Sequence, residues 1–80
     1  MATATDRITK TPGVCGGDAC IRGTRMSVWG LVEWRRLGKS DEWMLENFRH
    51  INSSDLEAAW EYAATHQREI EEAIRLNAEA

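Results

Sequence analysis

The chain is short, mildly acidic and rich in tryptophan. It has 80 residues, a net charge of −3 and four tryptophans. A chain of this length forms one domain with a small core, so a second domain is excluded and association with a partner is expected. Residues 1–11 lack the apolar stretch of a leader and no run is apolar enough to span a membrane, so we expect a cytoplasmic protein without membrane contact.

Charge is divided unevenly along the chain. Residues 1–40 carry seven Lys or Arg against three acids, and residues 41–80 carry three Arg against ten acids. The resulting net charges of +4 and −7 predict a basic surface for an anionic partner and an acidic surface for a basic one, or head-to-tail self-association. An ordinary solvated helix face also explains the acidic residues near position 70.

The chain is expected to start with a disordered segment at 1–5, followed by a β/turn arm at 6–26. Residues 7–10 alternate polar and apolar side chains and predict a short strand, and residues 19–21 predict a second. The residues that should form structural turns are Pro12, Gly13, Gly16, Gly17 and Gly23. Because two isolated strands are barely stable in water, they should lie on the helices or pair with a second copy.

Cap residues predict the first two helices. A helix from Val28 to about Leu37 would begin after Ser27 and stop at Gly38, which supplies a left-handed C-terminal residue. Ser40 would cap a second, short helix that has an acidic first turn and ends near residue 50. Apolar side chains recur along the first helix at helical spacing, so one side of it should pack on the core.

A third helix is expected to begin within residues 51–54, where three residues could serve as its N-cap. Ser54 with Glu57 matches a capping box, and Asn52 with Asp55 matches one equally well. The sequence therefore predicts the helix but leaves its first residue open.

The third helix is expected to run unbroken to Ala80, because no Gly or Pro interrupts it. Such a helix would be about 36 Å long, which is more than a three-helix core at 27–66 needs. The extension at 67–80 should then project, pack on a second protomer or await a different protein.

The second and third predicted helices form a helix-turn-helix pattern, in which the later helix enters the DNA major groove. Asp55 and Glu57 would be repelled by phosphates, so a purely structural role for this unit stays open. The candidate DNA-binding residues are the polar start of the third helix and the basic residues of the arm: Arg7, Lys10, Arg22, Arg25, Asn52, Ser53 and Ser54.

The arginines of the arm have two interpretations. Arg22 and Arg25 flank a glycine, where they could hold a phosphate or a carboxylate cluster. One of them could equally pair with Asp18 or Glu33 and brace the turn. We leave both interpretations open.

No catalytic, metal or cofactor site is expected. Cys15 and Cys20 are too few for structural zinc, so each is interpreted as a small buried thiol. The Gly-Gly-Asp run at 16–18 lacks the lysine and hydroxyl of a phosphate-binding loop. No Ser-His-Asp or Cys-His arrangement occurs, so the protein is not expected to be an enzyme.

Self-association is expected from the apolar residues. Each tryptophan has about 150–250 Å² to bury, and a small core cannot hide four of them. We expect a homodimer formed through the strands or the third helix. The candidate residues for a dimer or partner interface are Trp29, Trp34, Trp60, Ile70 and Ile74.

Three runs of the chain resemble the small prokaryotic family known as domain of unknown function 433. These are Pro12-Gly13-Val14-Cys15-Gly16-Gly17, Cys20-Ile21-Arg22-Gly23-Thr24-Arg25 and Val28-Trp29-Gly30-Leu31-Val32-Glu33, within a resemblance that extends over about 8–64. The resemblance implies a mostly α, homeodomain-like three-helix fold with a short N-terminal β element. It also implies an antitoxin of VapB-like type, often encoded beside a PIN-like ribonuclease toxin.

Together these expectations describe an antitoxin-like module. Its basic N-terminal half would contact operator DNA, and its apolar and acidic C-terminal half would bind a toxin. The alternative is an interaction or assembly module without DNA affinity, which the acidic start of the third helix favours.

Overall fold

The computed structural model describes residues 7–10, 13 and 17–78. Two short strands, β1 (Ile8–Thr9) and β2 (Cys20–Ile21), precede four helices, which are α1 (Val28–Arg36), α2 (Asp41–Asn47), α3 (Ser53–Thr65) and α4 (Gln67–Ala78). The domain is therefore mostly helical, as expected, but it has four helices instead of three. The expectations for residues 1–5, Pro12, Cys15 and Gly16 lie outside the described residues.

The two strands pair with each other. β1 and β2 are antiparallel, with Ile8 opposite Ile21 and Thr9 opposite Cys20, and both contact α3. Ile21 and Cys20 are fully buried, and the thiol of Cys20 donates to the carbonyl of Thr24 over 3.7 Å. The sheet thus lies on a helix of its own chain, which is one of the two arrangements predicted.

The turn at Gly23 connects β2 to α1. Gly23 has φ +75°, and beside it the Thr24 hydroxyl donates to the carbonyl of Ile21 over 2.8 Å and accepts from the Met26 amide over 3.0 Å. The Ile21 amide closes the turn by donating to the carbonyl of Met26 over 3.0 Å. Gly13 and Gly17 also have positive φ, of 84° and 86°.

The predicted starts of α1 and α2 are confirmed. The Ser27 hydroxyl accepts from the amide of Gly30 over 3.2 Å, and the Ser40 hydroxyl accepts from the amide of Trp43 over 3.1 Å. Gly38, with φ +94°, follows the C-terminus of α1. α2 ends at Asn47, three residues before the position expected.

Asn52 is the N-cap of α3. Its side-chain oxygen accepts from the amide of Asp55 over 2.9 Å, and the Asp55 carboxylate accepts from the amide of Asn52 over 3.0 Å. This reciprocal pair is a capping box, and it decides between the alternatives that the sequence left open.

The expectation of one unbroken helix to Ala80 is wrong, because the chain turns at His66. This residue has φ −130° and ψ 43°, and α4 begins directly after it. The turn brings α4 against α1, where Ile70 is 4 % exposed and Ala73 is also buried. A straight helix would leave both side chains in water, so burial on α1 outweighs the continuous helical hydrogen bonding.

The core lies between α3 and the elements around it. Its members come from β2 and the residue before it, all four helices and the loop before α3: Ala19, Ile21, Val28, Leu31, Met44, Ile51, Leu56, Ala59 and Ile70. Among the described residues, no helix combines the length and apolar character needed to cross a membrane.

We expect Gly23→Ala to lower the free energy of unfolding by about 1 kcal/mol or more, or about 4–8 °C in melting temperature. A Cβ at this position would contact nothing within 4 Å, so the loss comes from the positive φ and not from a clash. Gly23→Asn is the control, since Asn tolerates this backbone region better and should lose less. Equal melting temperatures for Gly23→Ala and the parent protein would contradict the prediction.

Candidate functional site

The first candidate surface lies at the N-terminal end of α3. The Arg7 guanidinium bonds the Asp55 carboxylate over 3.0 Å, and the Arg22 amide donates to the carbonyl of Arg7 over 2.7 Å. The strands therefore bring the basic arm to the start of the helix. We call this surface the basic pole; it consists of Arg7, Arg22, Arg25, Asn52, Ser53 and Ser54.

Most of the basic pole is open to solvent. Arg22, Arg25 and residues 52–54 are all exposed. In the part of the chain that the structure describes, the side chains of Arg22 and Arg25 form no hydrogen bond or ion pair. Neither arginine braces the turn by pairing with Asp18, whose carboxylate accepts from the indole of Trp29 over 3.1 Å.

Arg7 changes the charge of the helix start. Asp55 is 9 % exposed and is a member of the capping box, and sequence reasoning expected it to repel phosphates. In the structure its charge is opposed by Arg7, so the first turn of α3 is less negative than the sequence suggests. Nothing local in the sequence indicates this pair, because the two residues are 48 positions apart.

Lys10 lies apart from the basic pole. Its ammonium group is 3.0 Å from the Glu69 carboxylate, which also accepts from the Tyr62 hydroxyl over 2.7 Å. The distance from Arg7 to Lys10 along a strand, about 10 Å, matches the distance from Asp55 to Tyr62 along a helix, about 10 Å. The arm thus bonds α3 through Arg7 and α4 through Lys10.

The junction cluster of Lys10, Tyr62 and Glu69 has shifted pKa values. Burial alone would raise the pKa of Glu69, but its hydrogen bonds to Tyr62 and Lys10 outweigh burial and hold this pKa below the ordinary value of 4.5. Burial, followed by the Glu69 carboxylate, raises the pKa of Tyr62. The hydrogen bond to Glu69 raises the pKa of Lys10.

The second candidate surface is the outer face of α1. Helical spacing places Gly30, Glu33, Trp34 and Leu37 on the side away from the core, and Trp29 lies at its border, half-buried against the core cluster. Trp34 is 38 % and Leu37 is 72 % exposed. We call this surface the α1 groove; its lining residues are Trp29, Gly30, Glu33, Trp34, Arg36 and Leu37.

Contacts elsewhere in the chain fix the walls of the α1 groove. Trp29 is held by its hydrogen bond to Asp18, and Trp34 packs against Trp43 at a centroid distance of 5.2 Å. A Cβ at Gly30 would meet the Ser27 hydroxyl oxygen at 2.8 Å, so this position of the lining has no side chain. The two indole rings of the groove are thus each held by contacts within the chain.

The five interface candidates do not form one surface. Trp29 and Trp34 line the α1 groove, whereas Trp60 lies elsewhere, under the Arg35 guanidinium at 4.6 Å. Ile70 is buried in the core of its own chain, and Ile74 packs half-buried beside it. Sequence reasoning did not select Leu37; its place beside Gly38, where the helix was expected to stop, was the available signal.

Comparison with known proteins places the chain in a family. The model of the family described as "Protein of unknown function (DUF433)" matches residues 8–63. The chain belongs to the DUF433 family. A 2.00 Å crystal structure of a DUF433 member from Anabaena variabilis ATCC 29413 is similar, with a TM-score of 0.83 and 43 % sequence identity over 86 % of this chain and 68 % of that chain. No curated protein matches the chain.

In this DUF433 chain, residues 7–10, 13 and 17–78 contain no group of three or more His, Cys, Asp or Glu side chains that could hold a metal ion. The basic pole offers guanidinium, amide and hydroxyl donors, and the α1 groove offers aromatic and aliphatic surface with one carboxylate.

We expect Arg7→Gln to lower the free energy of unfolding by about 1–2 kcal/mol, because it leaves the Asp55 carboxylate mostly buried without its cation. Lys10→Gln should cost less than about 1 kcal/mol, since Glu69 is more exposed and keeps its bond from Tyr62. Urea unfolding at pH 7 measures both. The double variant R7Q/D55N should recover part of the Arg7→Gln loss; equal losses for Arg7→Gln and Lys10→Gln would contradict the proposed difference.

The lowered pKa of Glu69 predicts a pH-dependent contribution to stability. A carboxylate whose folded-state pKa is depressed stabilises the fold above its ordinary pKa of 4.5, and this contribution is lost as pH falls through the folded-state value. Glu69→Gln should therefore be less stable than the parent protein at pH 7, and the difference should shrink between about pH 5 and pH 3. Glu57→Gln, at an exposed position on α3, is the control for removing one carboxylate.

Proposed function

We propose that this DUF433 domain is a binding module of the antitoxin type, which contacts operator DNA with the basic pole and a protein partner with the α1 groove. The observation that carries the DNA half is the position of Arg22 and Arg25. Both are exposed and unpaired within the described residues, and the Arg22 amide bonds the carbonyl of Arg7, whose side chain reaches the capped first turn of α3. Guanidinium groups and helix N-termini both attract phosphate oxygens.

The helices support this proposal. α2 and α3 are joined by residues 48–52, the arrangement in which a helix-turn-helix presents its later helix to the major groove. Asn52, Ser53 and Ser54 are exposed at its start and can donate to bases or phosphates. We further propose that α2 and α3 act as part of a homeodomain-like DNA-binding unit, to which α4 is an additional helix.

Two exposed acids limit how α3 can meet DNA. Glu57 and Glu61 lie further along the helix, where a deeply inserted helix would bring them close to phosphates. The proposed contact is therefore made by the helix start and the arginine turn. If DNA binding is absent, the same acids favour the second candidate function, a protein-interaction module without DNA affinity.

The protein half of the proposal rests on the exposed Trp34 and Leu37 of the α1 groove. Exposed aromatic and aliphatic side chains on a small domain are typical of protein interfaces. The DUF433 resemblance suggests a PIN-like ribonuclease toxin as the partner. A homodimer stays a prediction, although the strands pair within the chain and α4 packs on its own α1.

DNA binding can be tested by fluorescence anisotropy with a labelled mixed-sequence duplex over a range of salt concentrations. We expect affinity to fall steeply with salt. R22Q/R25Q should reduce the slope of log K against log [salt] by about 2, because each of the two arginines neutralises one phosphate. R68Q/R75Q removes the same charge from α4, outside the basic pole, and should leave the slope close to that of the parent protein.

The two candidate functions predict different results in this experiment. Salt-independent binding, or no binding at low salt, would reject the DNA half and leave the interaction module. An equal decrease of slope in R22Q/R25Q and R68Q/R75Q would show that overall charge matters and that the basic pole does not.

A further inference from the structure

We propose that the α1 groove binds an arginine-bearing apolar segment of another protein, with the guanidinium between Trp29 and Trp34 and its charge opposed by Glu33. This inference rests on the proposed protein-binding role of the groove and names the chemistry of the partner. It is argued from the charges at the groove and from the way the other tryptophans of the chain are covered.

The acids at the α1 groove outnumber its available cations. Glu33 is exposed and makes no hydrogen bond or ion pair within the described ranges; the Arg36 guanidinium is close enough to interact with its charge without bonding it. Asp18 adds a second carboxylate behind Trp29. Arg36 also borders the groove, but both of its terminal nitrogens bond Glu71 on α4, so its charge is already opposed. A ligand in the groove therefore meets apolar walls and a net negative charge.

Trp43 and Trp60, the two tryptophans outside the groove, are each in contact with a cation of the same chain. The Arg35 guanidinium lies 4.6 Å from the ring centroid of Trp60, and the Lys39 ammonium lies 4.9 Å from that of Trp43. Across the described residues, no such cation covers Trp29 or Trp34. Cations are attracted to the faces of indole rings, most strongly where water is partly excluded.

The shape of the groove favours arginine. Gly30 leaves the floor without a side chain between the two walls, and Glu33 follows three residues later on the same face of α1. A guanidinium is planar, so it can stack against indole while its N–H groups reach a carboxylate in a fork. Leu37, at the end of the groove, offers a contact for an apolar side chain next to the arginine.

The test uses designed amphipathic helical peptides that carry leucines around a central arginine, with citrulline in place of arginine as the neutral control peptide. The arginine peptide should bind the full chain about tenfold more tightly than the citrulline peptide, the size expected for a partly desolvated cation–π contact with a counter-charge. The indole N–H resonances of Trp29 and Trp34 should shift on binding. The indole N–H resonance of Trp60 should not shift, because Trp60 belongs to α3 and does not line the groove.

Variants of Glu33 separate charge recognition from simple apolar contact. Glu33→Gln should bring the affinities of the two peptides together, and Glu33→Lys should favour a peptide with glutamate at the central position. Glu57→Gln is the matched control, an exposed acid on α3 that should leave the tenfold preference intact. Glu33 is exposed and bonds no side chain within the described residues, so these variants should keep a melting temperature close to that of the parent protein.

Several results would overturn the proposal. Equal binding of the arginine and citrulline peptides would show that the groove recognises apolar surface and not the charge of arginine. No binding of either peptide would show that it does not accept such segments. Shifts of the Trp29 and Trp34 resonances with protein concentration alone would show that a second copy occupies it. Each result is independent of the salt-dependent DNA binding, so failure here and failure of the DNA half are distinguishable.

Discussion

The structure depends on the burial of α3, which contacts α1, α2, α4 and both strands. Leu56, Ala58 and Ala59 are fully buried on it, and the small alanine side chains allow neighbouring elements to approach closely. A domain of this size has few apolar side chains available for a core. It stabilises itself by surrounding one helix instead of packing several layers.

The surrounding of α3 explains where the two candidate surfaces lie. The sheet and α1 cover the sides of α3, and α4 folds back from the C-terminal end of α3 onto α1. Residues 52–54, at the N-terminal end of α3, stay exposed. That end gathers the polar cap residues and, through the sheet, the arginines of the basic pole. The α1 groove faces away from α3, so a ligand at the groove and a ligand at the basic pole would not compete for the same residues.

Local chemistry predicts much of this fold from the sequence. Ser27 and Ser40 are recognisable caps because their hydroxyls can satisfy free helix amides, and Gly38 is a recognisable stop because its φ is positive. The break at His66 has no such signal, since neither Gly nor Pro lies there. It arises because Ile70 gains more from burial on α1 than a straight helix would provide, and that comparison needs the tertiary structure.

The candidate surfaces, too, could be predicted from the sequence only in part. Glycine and arginine spacing identified the turn that carries Arg22 and Arg25, but only the pairing of the strands shows that it meets the start of α3. The Arg7–Asp55 pair joins residues 48 positions apart, which no local pattern could indicate. Tryptophan content predicted an exposed aromatic surface, whereas the choice of Trp29 and Trp34 over Trp60 depends on which rings the chain covers with its own cations.

The size of the α1 groove limits what kind of interface it can form. Stable protein interfaces use about 20–30 residues on each side, and the groove has six. A few central residues, often tryptophan and arginine, carry most of the binding energy in such interfaces. The groove is therefore large enough to be the anchor of a contact and too small to be all of it. A partner seated there would have to extend over α4, which is joined to the groove by the Arg36–Glu71 bond and on which Leu76 is exposed.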